Sequence, residues 1–245
     1  MAAFTKLKDT PIKEIIFTIS FKENVEETNL TRFCELPTVK EQFPITNTSF
    51  NAEVKTVNNE APTTQVKSDG FILRNATPHS KLIQAKKGSF SFHLINLYQP
   101  FDLIIEELNV YWKLLEECCG NLSINGLMVR YLNFIELKDG DNVEKLITIN
   151  TSQPFGTRLE NSFTNLRFVY EKNPDITVNI VTTTGKTITT PGQSDFKDGI
   201  ILDIIVNKRV LNSVTPIFDN FKDMREAKNE TFFKSITEET IKRYN

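Results

Sequence analysis

The chain has 245 residues, 39% of them hydrophobic and 24% charged, with a formal net charge of −2. This composition is that of a globular protein with room for one large domain or two packed ones. The near-neutral charge supplies none of the basic excess typical of general nucleic-acid binders, and no apolar run approaches membrane-spanning length.

The opening residues are polar and carry no apolar signal core, so the expectation is a protein without a secretion signal. Residues 11–21 then alternate. Ile15, Phe17, Ile19 and Phe21 share one face, and Glu14, Ile16, Thr18 and Ser20 share the other, which predicts a strand with one buried face. Asn29 is the expected N-cap of a short helix carrying Leu30, Phe33 and Cys34. Pro37 interrupts that helix, and a further turn ends at Pro44. Strands follow at 49–57, 70–74, 81–86 and 89–94. The polar stretch 58–69 between the first two reads as an exposed hairpin loop. Pro100 precedes a helix over 101–119, where Ile104, Leu108, Tyr111, Leu115 and Cys118 recur at alternating spacings of four and three. Leu103, Val110 and Leu114 widen the stripe, and Gly120 is placed to end the helix.

The same order then begins again. A strand runs over 126–137, with Leu127, Val129 and Tyr131 opposite Met128, Arg130 and Leu132. A turn at 139–141 leads to a weak helix near 142–149, and strands follow at 163–170, 176–183 and 199–207. The loop 184–197 is the counterpart of the first exposed loop. A second long helix opens with Thr215 as N-cap and Pro216 at its first position, and Ile217, Phe218, Phe221 and Met224 form its seam. Ser235 and Glu238 have the spacing of a capping box before a last short helix. The predicted class is α+β: an extensive antiparallel sheet packed by two long helices. Residues 1–122 and 123–245 form two related halves packed as one unit. A saddle of the TATA-binding type and an unduplicated curved sheet both fit this order, and fold alone assigns no function.

The motifs of chemistry are sparse. Gly185-Lys186-Thr187 ends like a phosphate-binding loop, but Ile180 stands where that pattern needs glycine. Of the two histidines, His79 sits in a turn and His93 in a strand, and neither has a partner at metal-ligand spacing. Cys34 is isolated, and the adjacent Cys118 and Cys119 lie at a helix C-terminus, where the dipole disfavours a thiolate; the usage points to a reducing cytoplasm. No cofactor or metal is expected. Phe71, Phe90, Phe92, Phe163 and Phe168 are strand aromatics, read as core or, in a saddle, as stacking groups. Arg130 and Asp203 each interrupt an apolar strand, and a charge in that setting faces solvent or needs a partner. With Tyr131 they are the candidate binding residues.

Four stretches taken together, 11–17, Phe92 through Tyr98-Gln-Pro-Phe101 to Trp112, Val129-Arg-Tyr-Leu-Asn133, and 232–239, resemble a sporadically distributed family of uncharacterised bacterial proteins of about this length. The mid-chain strand of that family reads Arg-Tyr-Ile-Asn-Arg. Arg130, Tyr131 and Asn133 match it, and Phe134 stands in place of the second arginine. The family has no established activity. Its patchy distribution implies an accessory role, such as defence against phage. The expected function is therefore a non-enzymatic binding protein that recognises a protein partner or senses a molecule. A nucleic-acid-binding saddle is the alternative, and an uncharacterised hydrolase the third.

Overall fold

The computed structural model describes residues 7–55, 63–149, 162–188, 196–210 and 216–245. The protein is α+β. Among the described residues six helices accompany nine strands, which hydrogen-bond as one antiparallel sheet in the order β2-β3-β4-β5-β1-β6-β9-β8-β7. The strands are β1 (Ile12–Phe21), β2 (Ile45–Lys55), β3 (Thr63–Arg74), β4 (Lys81–Lys86), β5 (Ser89–Ile95), β6 (Ile124–Glu136), β7 (Ser162–Val169), β8 (Ile176–Ile188) and β9 (Phe196–Arg209). The helices are α1 (Glu27–Glu35), α2 (Pro37–Gln42), α3 (Phe101–Cys119), α4 (Val143–Leu146), α5 (Ile217–Ser235) and α6 (Glu238–Arg243). The chain divides into two compact units. One comprises Phe17–Ile95 with Gln99–Gly126, and the other Met1–Ile16, Asn96–Tyr98 and Leu127–Asn245.

The first of these units is built on aromatic packing. Its long helix α3 has the predicted bounds and buries Ile104, Leu108, Tyr111, Leu115 and Cys118 as its spacing requires. Trp112 joins them and is 1% exposed, whereas Leu103 and Val110 point to solvent. The buried stripe is thus centred on the 108–112–115 side; of the three expected flanking residues Leu103 and Val110 fall beyond it and Leu114 is half-buried. Tyr111 stacks on Phe92 at 6.0 Å and meets Phe43 edge-on at 5.2 Å. Trp112 meets Phe90 at 6.0 Å and Phe21 at 6.1 Å. Each such pair adds about 1 kcal/mol beyond the area it buries. Phe90 and Phe92 are therefore core residues.

Two local predictions here are corrected. Helix α1 starts at Glu27, with Glu26 as an uncapped N-cap, so Asn29 lies inside the first turn. The stretch expected as a loop is a strand from Thr63 onward, running beside β2 in an antiparallel hairpin. Its residues Gln65, Val66 and Lys67 are exposed. With no face to bury, this part of the hairpin shows no alternation, and polar residues fill positions whose backbone still pairs with β2. The remainder of that predicted loop, 58–62, lies outside the described residues. Gly70 closes the regular ladder: its φ is +142°, and a Cβ there would stand 2.1 Å from the Ala85 carbonyl oxygen. The register slips beside it, between Ser49 and Phe50, leaving Asp69 as the extra residue of a bulge.

In the other unit, β6, β9 and β8 present Val129, Tyr131, Ile200, Leu202, Ile204, Ile176 and Val178 as a buried layer. Helix α5 packs on β9 and β8 and buries Phe221, Met224 and Ala227. Its N-cap is Pro216, one residue later than expected, and Ile217 and Phe218 are only half-buried; Thr215 lies outside the described residues. The last helix is capped by Thr237, whose hydroxyl accepts from the Thr240 amide at 3.4 Å. Ser235 instead ends α5 and donates to the Thr231 carbonyl at 2.8 Å, so the N-cap lies two residues later than expected, with Thr240 where a capping box would need Glu or Gln. Arg243 of α6 anchors on Asp141 through two bonds of 2.8 and 2.7 Å. That guanidinium holds the Asp141 carboxyl down at about 2. Strands β8 and β9 extend to Ile188 and from Phe196, so half of the second predicted loop belongs to the ladder, and the other half, 189–195, lies outside the described residues. Gly185, Lys186 and Thr187 pair with Gly199, Asp198 and Lys197 in that ladder rather than sitting at a turn.

Candidate functional site

Strand β6 fixes the geometry of the candidate residues. Successive side chains of a strand project to opposite faces. Tyr131 enters the layer beneath α5, and Arg130 projects to the other face. On β9, Leu202 and Ile204 are fully buried under α5, so Asp203 between them shares the face of Arg130. The two meet there. Arg130 Nε donates to Asp203 Oδ1 at 2.9 Å and Oδ2 at 3.0 Å, and the terminal nitrogen donates to Oδ2 at 2.7 Å. This two-pronged geometry is the strong form of an arginine–carboxylate contact. The side chain of Asp203 is 8% exposed and that of Arg130 37%. Bonding to Asp203 raises the pKa of Arg130, and burial opposes it; Glu14 adds a further favourable charge.

Tyr131 is not part of this pair. It is 4% exposed, and burial raises its hydroxyl pKa, with Tyr98 adding to the rise and Arg225 opposing it. The amine of Lys228, on α5, sits 3.9 Å from the centre of its ring. A ring face favours a cation, yet burial dominates and, with the Arg225 charge, pulls the Lys228 amine down to about 7. Sequence reading missed Lys228. Its spacing of four from Met224 and seven from Phe221 does place it on the buried stripe of α5, and that was the available signal.

Asn133, one turn of the alternation beyond Tyr131, is 1% exposed. Its amide donates to the Leu202 carbonyl at 2.9 Å and the Tyr131 carbonyl at 3.1 Å. Phe134, on the Arg130 face and 7% exposed, lies over Gly199 of β9. A Cβ on that glycine would stand 2.2 Å from the ring. Arg130, Tyr131, Asn133 and Phe134 therefore each hold β6 to a neighbouring element of the same unit.

Around the Arg130–Asp203 pair the face opposite α5 stays in contact with solvent. Val181 is opposite Asp203 and Asn165 opposite Val181; Ile201 pairs with Thr183 and Thr183 with Phe163; Ile205 pairs with Asn179 and Asn179 with Arg167. Phe163 is 69% exposed, and Met128, Leu132, Val181, Ile201 and Ile205 are half-buried. The surface is a lattice of apolar and amide or hydroxyl side chains, with Arg167 exposed at its β7 margin. Its central charges cancel.

The remaining candidates carry no assembled chemistry. His79 has φ +56° and its Nδ1 lies 2.9 Å from the Asn75 carbonyl oxygen, and His93 is buried in β5. Burial pushes the Cys34 thiol up to about 12 and the Cys119 thiol up to about 11, and raises that of Cys118. Among the described residues no three His, Cys, Asp or Glu side chains gather to hold a metal ion, and no described helix is long and apolar enough to cross a membrane. Compared with known proteins, the chain matches no family model and no curated protein.

Proposed function

We propose that this chain is a non-enzymatic binding module that seats a protein partner on the face of β6, β9, β8 and β7 opposite α5. The observation that carries this reading is the paired charge at the centre of that face. Arg130 is held by Asp203 through three hydrogen bonds, so its charge is spent within the protein and not offered to phosphates. The half-exposed Met128, Leu132, Ile201 and Ile205 around it supply the mix of apolar and polar area that protein interfaces use. A nucleic-acid surface would instead need several uncommitted cations.

Residues 1–122 and 123–245 are, in this account, two related halves of a saddle-like sheet. The order of elements supports it. Read outward, β1, β5, β4 and β3 are matched by β6, β9, β8 and β7, with β2 additional. In each half the strands are followed by a helix of 19 residues, α3 and α5, with α6 additional in the second. A bacterial cytoplasmic setting, in an accessory or phage-defence system, belongs to the same reading. It leans on the family resemblance and on three free thiols.

Affinity purification from the native host, with proteins and nucleic acids both identified, tests the function. Ile201→Lys on the open face is compared with Leu103→Lys on the exposed side of α3. The expected result is one stoichiometric protein, retained by the wild type and by Leu103→Lys and lost by Ile201→Lys. Bound nucleic acid that falls away steeply with added salt would replace this reading with the saddle's alternative use.

A further inference from the structure

Strands β2 and β7 end the strand order, and the two ends are built differently. The β2 ladder is broken midway by the bulge at Ser49/Phe50, a device that twists an edge away from further pairing. Strand β7 has none. Its eight residues pair with β8 without a register shift. The strand contains no proline and one charged side chain, Arg167. It is apolar and exposed on both faces: Phe163 is 69% and Val169 56% exposed on one, Leu166 45% and Phe168 40% on the other. Among the described residues nothing pairs with its outer edge. A long, regular, apolar edge left in this state is a template for another strand.

We propose that β7 pairs antiparallel with β7 of a second copy of this chain, extending the sheet across a twofold axis at Leu166. The strand is self-complementary in that one register. Leu166 faces itself on the axis, Phe163 falls opposite Val169, Thr164 opposite Phe168, and Asn165 opposite Arg167. All four exposed apolar side chains gain a cross-strand neighbour, and the only charge meets an amide. Centring the axis on Arg167 would set two guanidiniums face to face. Centring it on Asn165 would put Arg167 against Phe163 and leave Val169 unpaired. Because residues directly opposite in an antiparallel pair share a face, the Leu166 register also keeps the α5 layers of both copies on the same side of the extended sheet. This contact uses the edge of the sheet; it adjoins the partner-binding face through Phe163 and Val169 but needs no partner seated there.

Sedimentation equilibrium of the full chain over a range of concentrations tests it, with Leu166→Lys and Leu166→Glu. The wild type is expected to dimerise. Each variant alone should self-associate about tenfold more weakly or worse, because like charges then meet on the axis. An equimolar mixture of the two should restore a dimer, a result that poor folding of either variant would not produce. A wild type that stays monomeric throughout, a dimer indifferent to both variants, or a mixture that does not associate would each overturn the proposal.

Discussion

Arg130 and Asp203 were legible in the sequence because each placed a charge in the middle of an apolar strand, where an unpaired ion costs several kilocalories per mole. Their pairing followed once β6 and β9 were neighbours. Tyr131, adjacent in sequence, belongs to the opposite face, and period-two alternation already implied that separation. The pair itself makes an unequal prediction. Arg130→Ala strands a carboxylate that is 8% exposed and should cost about 3 kcal/mol. Asp203→Ala leaves a guanidinium with 37% of its side chain in water, so screening limits the loss to about 1–2 kcal/mol. The double substitution should be milder than Arg130→Ala alone. Urea denaturation of the three variants measures all three values, and strict additivity would contradict a coupled pair.

Elements with a strong period were the ones read correctly. Helix α3 repeats its apolar residues at helical spacing and has proline before it and glycine after it, so both ends were fixed locally. Strand β1 was found in full from its alternation, although Ile16, on its expected open face, is buried as well. The first part of β3 was lost because neither of its faces is buried there, and nothing in its side chains distinguishes a paired backbone from a loop. The close fit of β6 on β9 could not be read either, since it depends on a glycine and a phenylalanine 65 positions apart, Phe134 and Gly199. At this contact Gly199→Ala should destabilise the protein by about 1–3 kcal/mol, as its Cβ would stand 2.2 Å from the Phe134 ring and 3.0 Å from the Ile135 carbonyl oxygen. Adding Phe134→Leu should recover part of that loss in thermal unfolding, leaving the carbonyl contact as the residue of the cost.

At the scale of the whole molecule, composition bounded the class and the order of elements gave the α+β sheet. Function was not written in any short motif, because the matched residues Arg130, Tyr131 and Asn133 are each occupied in holding β6 in place. The surface proposed for binding is the open face around the Arg130–Asp203 pair. Met128 is half-buried on that face, while Met224 of α5 is fully buried. Methionine sulfur oxidises readily when solvent reaches it, so these two residues report on the face and on the core. The most direct measurement is the rate of Met128 oxidation by hydroxyl radical, with and without the protein retained from the host. Slower oxidation of Met128 in the complex, by several-fold, with Met224 protected throughout, is the result expected if the partner covers this face. Unchanged Met128 oxidation together with new protection of Leu103 and Val110 on α3 would place the partner elsewhere and contradict the assignment.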